Sequence, residues 1–228
     1  MAAIIDPKVV TNGLVLALDA ADTNSYPRTG TTWTDLSGNG NNGTLTNGPT
    51  FSTTNLGNLA FNGTTQYVSV TQTLSVPITV CGYIKYIDQA KSLNTFINSF
   101  PHNTLAISLN RNGAGNLQVF IGNGSAWLGT PSINSSTTVT VNTWYYISFT
   151  CDGTTSILYL NGVNVGTSAN IPSGWSTYFY LGHLTGGVSS SEYLKGNLAS
   201  TIIYNRALTA TEVLQNYNAT KSRFGLGL

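Results

Sequence analysis

The sequence predicts an all-β protein, an antiparallel β-sandwich (jelly roll) with one short C-terminal helix, and three observations predict it. Asn-Gly pairs begin at Asn12, Asn39, Asn42, Asn47, Asn62, Asn112, Asn123 and Asn161, and an Asp-Gly begins at Asp152. These dipeptides supply the positive φ that tight hairpin turns require. Between them run short segments rich in β-branched and aromatic residues, which suit a pleated, half-buried surface. Only 7% of the 228 residues are charged against 41% hydrophobic, enough for one core with little ionic surface around it.

In chain order the expected strands are Leu14–Asp19, Tyr67–Val70, Ile78–Tyr86, Thr104–Asn110, Leu117–Gly122, Trp144–Thr150, Ser156–Ser168, Tyr178–Leu184 and Asn197–Asn205. Ser156–Ser168 reads as a hairpin about Asn161-Gly162, and Asp152-Gly153 turns Trp144–Thr150 into it. The helix follows from Thr209 and Glu212, which have capping-box spacing and place Ala210, Val213, Leu214 and Tyr217 on one face. Ser37–Pro49 is low in complexity, yet its flanks supply apolar residues to the same core, so residues 1–228 are expected to form a single domain. Short terminal arms, about 1–12 and 219–228, are apolar enough to need cover from a neighbour. The triplet GTT recurs at Gly30, Gly63 and Gly153 without a period, so it marks no repeat.

Nine Lys+Arg against eight Asp+Glu give a net charge of +1, too few cations to neutralise a row of phosphates, and nucleic acid is excluded as a partner. No segment approaches the roughly 18 uninterrupted apolar residues of a membrane span. The opening MAAIIDPKVV has no basic region followed by a long apolar stretch, so the expectation is synthesis in a cytoplasm without a signal peptide. The sequons at Asn42, Asn62, Asn123, Asn134 and Asn218 then carry no implication. Twelve Tyr, eight Phe and four Trp argue against disorder. A polar surface with charge near zero favours association, as a homo-oligomer or within an assembly. Cys81 and Cys151 sit in strand-like runs and read most simply as buried reduced thiols, with a bridge left open.

Catalytic constellations are missing from the pattern. Glycoside hydrolysis needs two carboxylates about 5 to 9.5 Å apart across a cleft, but Glu192 falls in a loop, Glu212 in the capping box, and the six aspartates are scattered. Gly38–Gly43 satisfies G-x-G-x-x-G, yet precedes the strand-like or turn segment Thr44–Asn47 and opens no helix. His102 and His183 stand alone and read as packed or rim residues. Asp35-Leu36-Ser37-Gly38-Asn39-Gly40 begins like a calcium loop, but Thr46 occupies the twelfth position where a bidentate Glu belongs. An Asx-turn network is the simpler reading; a weak calcium site joined by Asp19 and Asp22 stays open. Sugar binding needs aromatic faces beside amides, and here the candidates are Trp127 and Trp175, in Gly/Ser-rich loops, with Tyr178, and more weakly Tyr193. For each of them the edge of a core or a subunit contact is the simpler reading. Trp33 and Trp144 read as scaffold.

Trp144–Ser168, with its Trp-led strand, Asp-Gly turn and L-Y-x-N-G hairpin, resembles the laminin-G-like (pentraxin-like) branch of the concanavalin A-like lectin/glucanase superfamily. The likeness continues at Phe61–Val70, Ile78–Lys85 and Gly196–Tyr217, and so spans nearly the whole chain. Gly13–Phe51 and Asn216–Leu226 resemble a variant found in tailed-phage virion structural proteins. The resemblance implies a concanavalin A-like jelly roll acting as a non-enzymatic component of a virion surface, in capsid decoration or in a tail or fibre. An alternative is a carbohydrate-binding adhesin recognising host surface glycans, and a divergent glycoside hydrolase is the third reading. Relatives often carry acidic residues in the equivalent of FNGTTQYV, where this chain has Asn62 and Gln66, so their calcium is not carried over.

Overall fold

Eighteen strands and one α-helix follow one another among the residues that the computed structural model describes, 8–91, 93–100, 107–173, 177–184 and 192–226. In chain order these are β1 (Leu14–Asp19), β2 (Thr32–Trp33), β3 (Gly43–Thr46), β4 (Thr50–Ser52), β5 (Asn58–Asn62), β6 (Tyr67–Val70), β7 (Ile78–Tyr86), β8 (Leu93–Phe100) and β9 (Ile107–Asn112). Then come β10 (Asn116–Ile121), β11 (Ile133–Thr138), β12 (Trp144–Cys151), β13 (Ser156–Leu160), β14 (Val163–Ser168), β15 (Tyr178–Leu181), β16 (His183–Leu184), β17 (Glu192–Tyr193), β18 (Lys195–Tyr204) and α1 (Ala210–Thr220).

The strands pair into two antiparallel eight-stranded sheets. The first runs β14-β13-β12-β7-β18-β5-β4, with β1 on the other half of β18; the second runs β11-β10-β9-β8-β15-β6-β3-β2, and β16 and β17 form a separate ribbon. Side chains that alternate along each strand meet between the sheets, where Leu16, Trp33, Phe61, Val68, Val80, Phe96, Leu109, Val119, Phe149, Phe179 and Leu181 form the main core. This is the expected sandwich. A buried Arg111, 2% exposed, joins its edge by donating to the carbonyls of Val139 at 3.3 Å and Asn112 at 3.0 Å.

A second cluster lies on the far face of the first sheet, where Cys81, Tyr83, Trp144, Tyr146, Tyr204, Val213 and Phe224 pack beneath α1 and the turn that follows it. The capping box forms, with Glu212 N–H donating to Thr209 Oγ1 and Thr209 N–H donating to the Glu212 carboxylate. The buried face of α1 differs from the expected one: it is Val213 and Asn216, while Ala210 is exposed and Leu214 is 42% exposed. Asn216 takes an inward place because its amide accepts from Val10 N–H at 2.8 Å and donates to the Tyr204 hydroxyl at 3.0 Å.

The described parts of both termini lie against this cluster. Gln215 holds the Lys8 carbonyl at 2.7 Å. Phe224 stacks on Tyr83 at 3.9 Å between centroids, and Arg223 grips the Asp19 carboxylate at 2.7 and 2.9 Å. Cys81 belongs to this outer cluster and Cys151 to the main core, so they sit on opposite faces of the sheet and are free thiols. Burial pushes the Cys81 thiol up to about 12. Among the described residues no helix is long and apolar enough to cross a membrane.

Candidate functional site

The outer face of the second sheet carries aromatic residues of its own, which α1 does not cover. Burial alternates strictly along β6, β10 and β15, so Tyr67, Tyr178, Tyr180 and Phe120 face away from the core and are half-buried. The register aligns Thr44, Ser69, Tyr180, Asn98, Ser108 and Phe120 directly opposite one another in one row across the sheet. From Tyr180 to Phe120 that row crosses three strand spacings, about 14 Å. Asn110 and Gln118 lie in the adjacent row, so amides and hydroxyls are interleaved with rings.

At one end of the row Asn123 folds the chain back, its Oδ1 accepting from Ser125 N–H at 3.1 Å and Ala126 N–H at 2.9 Å. This Asx turn brings Trp127 edge-on to Phe120, with ring centroids 5.7 Å apart. At the other end Tyr67 meets Tyr180 edge-on at 5.2 Å, and Tyr180 meets Tyr178 at 5.8 Å. His183 joins them although it lies three residues from Tyr180, a separation that in a regular strand puts side chains on opposite faces. Gly182, at φ 76, inserts the kink that allows it. The His183 ring stacks on Tyr193 at 4.2 Å and 6° and lies 4.9 Å from Tyr67 and 5.4 Å from Tyr180.

His183 is 6% exposed, and among the described residues neither of its ring nitrogens has a hydrogen-bond partner. Burial lowers its pKa to about 4, so at neutral pH the ring is uncharged. Asn98, 1% exposed, likewise leaves its Oδ1 without a partner. The ammonium of Lys91 reaches the ribbon, donating to the Tyr193 carbonyl at 2.8 Å and pairing with Glu192 at 3.8 Å.

The structure thus brings Trp127 and Tyr178 to one face of one sheet and adds Tyr193 through the β16–β17 ribbon. Trp175 and His102 lie outside the described residues. Trp33 and Trp144 are buried scaffold. Tyr67, Tyr180 and Asn98 were not among the expected site residues, while His183 is packed among rings as expected. Two-residue periodicity in Tyr178-Phe179-Tyr180-Leu181 was a usable signal for Tyr180; nothing local marks Asn98.

The Asp35 loop is held by hydrogen donors. Asp35 Oδ1 accepts from the N–H groups of Ala17 and Ser37, both at 2.9 Å, and Oδ2 accepts from the Ser37 hydroxyl at 2.7 Å and Asn41 N–H at 3.0 Å. Donors at both oxygens make this an Asx-turn anchor, with the carboxylate committed to the chain itself. Among the described residues no three His, Cys, Asp or Glu side chains converge for a metal ion. A cavity of about 200 Å³ lies between the first sheet and α1, lined by Tyr83, Tyr146, Ile202, Asn216 and Phe224; these residues already serve to seat the helix.

The family model of the concanavalin A-like lectin/glucanases superfamily (Laminin_G_3) matches residues 62–214. The chain belongs to this superfamily. Comparison with curated protein sequences gives no match. Among solved structures, this concanavalin A-like chain is similar to Trypanosoma rangeli sialidase in complex with the inhibitor DANA, with TM-score 0.70 and 15% identity over 97% of this chain and 36% of that one. It therefore spans about a third of the sialidase. Domain 4 of AbnA, a GH43 extracellular arabinanase from Geobacillus stearothermophilus, in complex with arabinotriose, matches at TM-score 0.68 and 18% identity over 90% of this chain and 98% of that one. The binding domain of Botulinum Neurotoxin DC in complex with SialylT matches at TM-score 0.69 and 13% identity over 92% and 52%. At such identities the likeness is one of fold.

Proposed function

We propose that this concanavalin A-like protein is a non-enzymatic carbohydrate-binding protein, and that saccharides lie on the outer face of the second sheet between Trp127 and the tyrosines at positions 67, 178, 180 and 193. The observation that carries this reading is the row of half-buried rings interleaved with buried amides and hydroxyls on a sheet face that carries no helix among the described residues. Aromatic faces take the apolar C–H faces of sugar rings, and amides and hydroxyls take their O–H groups. Two similar sandwiches hold oligosaccharides, arabinotriose in one and SialylT in the other.

The non-enzymatic part rests on the carboxylates. Asp19 is paired with Arg223, Glu212 with Arg206, and Glu192 with Lys91, while Asp35 and Asp152 hold their own turns. Asp22 and Asp88 likewise accept from backbone N–H groups two residues on, so these seven carboxylates are engaged by a cation or by their own turn, which supports the non-enzymatic reading. The setting we propose is a virion surface, where such a protein decorates a capsid or sits on a tail or fibre and meets host glycans. It is supported by the resemblance of Gly13–Phe51 and Asn216–Leu226 to tailed-phage structural proteins and by a surface with few charges.

A glycan-array screen of the purified chain tests the binding, run beside the Tyr180→Ala and Trp127→Ala variants. Specific binding by the parent that both variants lose is the expected result. Silence of the folded parent on the array would remove the carbohydrate reading and leave the architectural role.

A further inference from the structure

We infer that this face selects uncharged saccharides and rejects those bearing a carboxylate, such as sialic or uronic acids; this deepens the carbohydrate-binding reading and rests on it. Similar structures with bound sugars differ on this point: domain 4 of AbnA holds arabinotriose, which is neutral, and the neurotoxin binding domain holds SialylT. The residues of this chain decide between them.

A carboxylate leaving water needs a cation or a set of spare donors, and without them its burial is strongly unfavourable. Among the described strand positions that share the face of Tyr180, from β3 to β10, there is no Lys or Arg. The connecting segments 101–106, 174–176 and 185–191 contain none in their sequence either. Lys91, which reaches the ribbon, is already held by Glu192 and the Tyr193 carbonyl, and Lys195, beside it, lies on the first sheet. Tyrosine π-faces are electron-rich, so they attract sugar C–H groups and repel an anion.

The unpartnered polar atoms point the same way. His183, enclosed by the rings of Tyr67, Tyr180 and Tyr193, is neutral at pH 7 and offers one donor and one acceptor. The unpartnered Asn98 Oδ1 is an acceptor. A hydroxyl both donates and accepts, so it satisfies either group; a carboxylate accepts only, and would face the lone pairs of Asn98 and of one His183 nitrogen. Two such buried groups, each without a partner among the described residues, are what a hydroxyl slipped between the half-buried tyrosines would complete.

The test is calorimetric titration of the full chain with two size-matched panels. One is neutral (arabino-, xylo-, cello-, manno- and galacto-oligosaccharides) and the other acidic (oligogalacturonates and sialylated lactoses). A neutral ligand bound at least about tenfold more tightly than any acidic one is expected. Its affinity should be unchanged between about 0.05 and 0.5 M salt, since no charge pair is involved. Ser69→Arg, which sets a cation directly beside Tyr180, should bring acidic ligands up to the affinity of neutral ones.

Acidic ligands bound as tightly as neutral ones by the parent would overturn the selectivity and leave carbohydrate binding standing. No binding in either panel by folded protein would overturn both. His183→Phe keeps the stack on Tyr193 and removes both nitrogens, so it should weaken neutral binding about tenfold while His183→Gln recovers part of the loss. Unchanged affinity in His183→Phe would remove His183 from the account of selectivity.

Discussion

The two sheets are equal in strand number and differ in what covers their outer faces. On the first, β7 is buried at eight of nine positions and β18 at eight of ten, because the main core lies on one side and α1 with the C-terminal turn on the other. On the second, β10 and β15 alternate between half-buried and buried. Both outer faces are aromatic. Tyr83, Tyr146, Tyr204 and Trp144 are as dense on the first as the tyrosines are on the second, but their surface is spent on holding Phe224, Val213 and Tyr217. Aromatic content alone therefore does not mark a binding face; what sets the second sheet apart is that its outer rings are half-buried and that α1 packs on the other sheet.

The largest expected effects come from exchanging these roles. Phe224→Ala removes the ring that stacks on Tyr83 and lies 4.9 Å from Trp144, and should cost about 3 kcal/mol of unfolding free energy while sugar affinity is unchanged. Tyr180→Ala should change stability by no more than about 1 kcal/mol and abolish binding. Urea unfolding and titration of both variants read the two effects separately. Loss of binding in folded Phe224→Ala would move the functional face to the first sheet.

How much of this was readable in the sequence depended on whether a strand's neighbours were local. β1, β6 and β7 have the expected limits, and the β13–β14 hairpin turns at Asn161-Gly162 as expected, because alternation and turn chemistry are encoded within a few residues. β8, with the sequence LNTFINSF, was passed over: its polar residues look like a loop until β9 and β15 flank it. The inward turn of Asn216 depended on Val10, 206 residues away in sequence, and on Tyr204, 12 residues away. For the site, Trp127 and Tyr178 stood out by composition and loop context. His183 and Asn98 did not, since their meaning comes from the kink at Gly182 and from a register spanning several strands.

That kink provides an intermediate test. Gly182 sits at φ 76, and a Cβ there would meet Leu194 Cβ and Phe61 Cδ1, each at 3.4 Å. Gly182→Val should cost about 1–2 kcal/mol from the left-handed backbone alone. It should also weaken sugar binding by more than that loss of stability explains, because a regular strand carries His183 to the opposite face. A comparable variant on the covered sheet, Gly153→Val in the exposed β12–β13 turn at φ 96, should lower stability and leave affinity intact. Equal binding in the two variants would mean that the kink does not set the site.

The smallest effects expected are in the acid range, and they separate the two sheets by pH. His183 has a folded pKa lowered by burial from 6.5 to about 4, so between those values the unfolded chain binds more protons than the folded one. Its contribution to stability is whole above about 6.5 and is lost as pH falls towards 4. Glu212, on the helix over the first sheet, is held down at about 2 from 4.5, first by its hydrogen bonds with Arg206. Its contribution is whole above about 4.5 and fades as pH falls towards 2. Thermal unfolding followed across this range should show two successive declines. His183→Phe should flatten the upper one and Glu212→Gln the lower. A variant that flattened both would mean that the ring cluster of the second sheet and the helix cap of the first titrate as one unit, against the separation of the two faces.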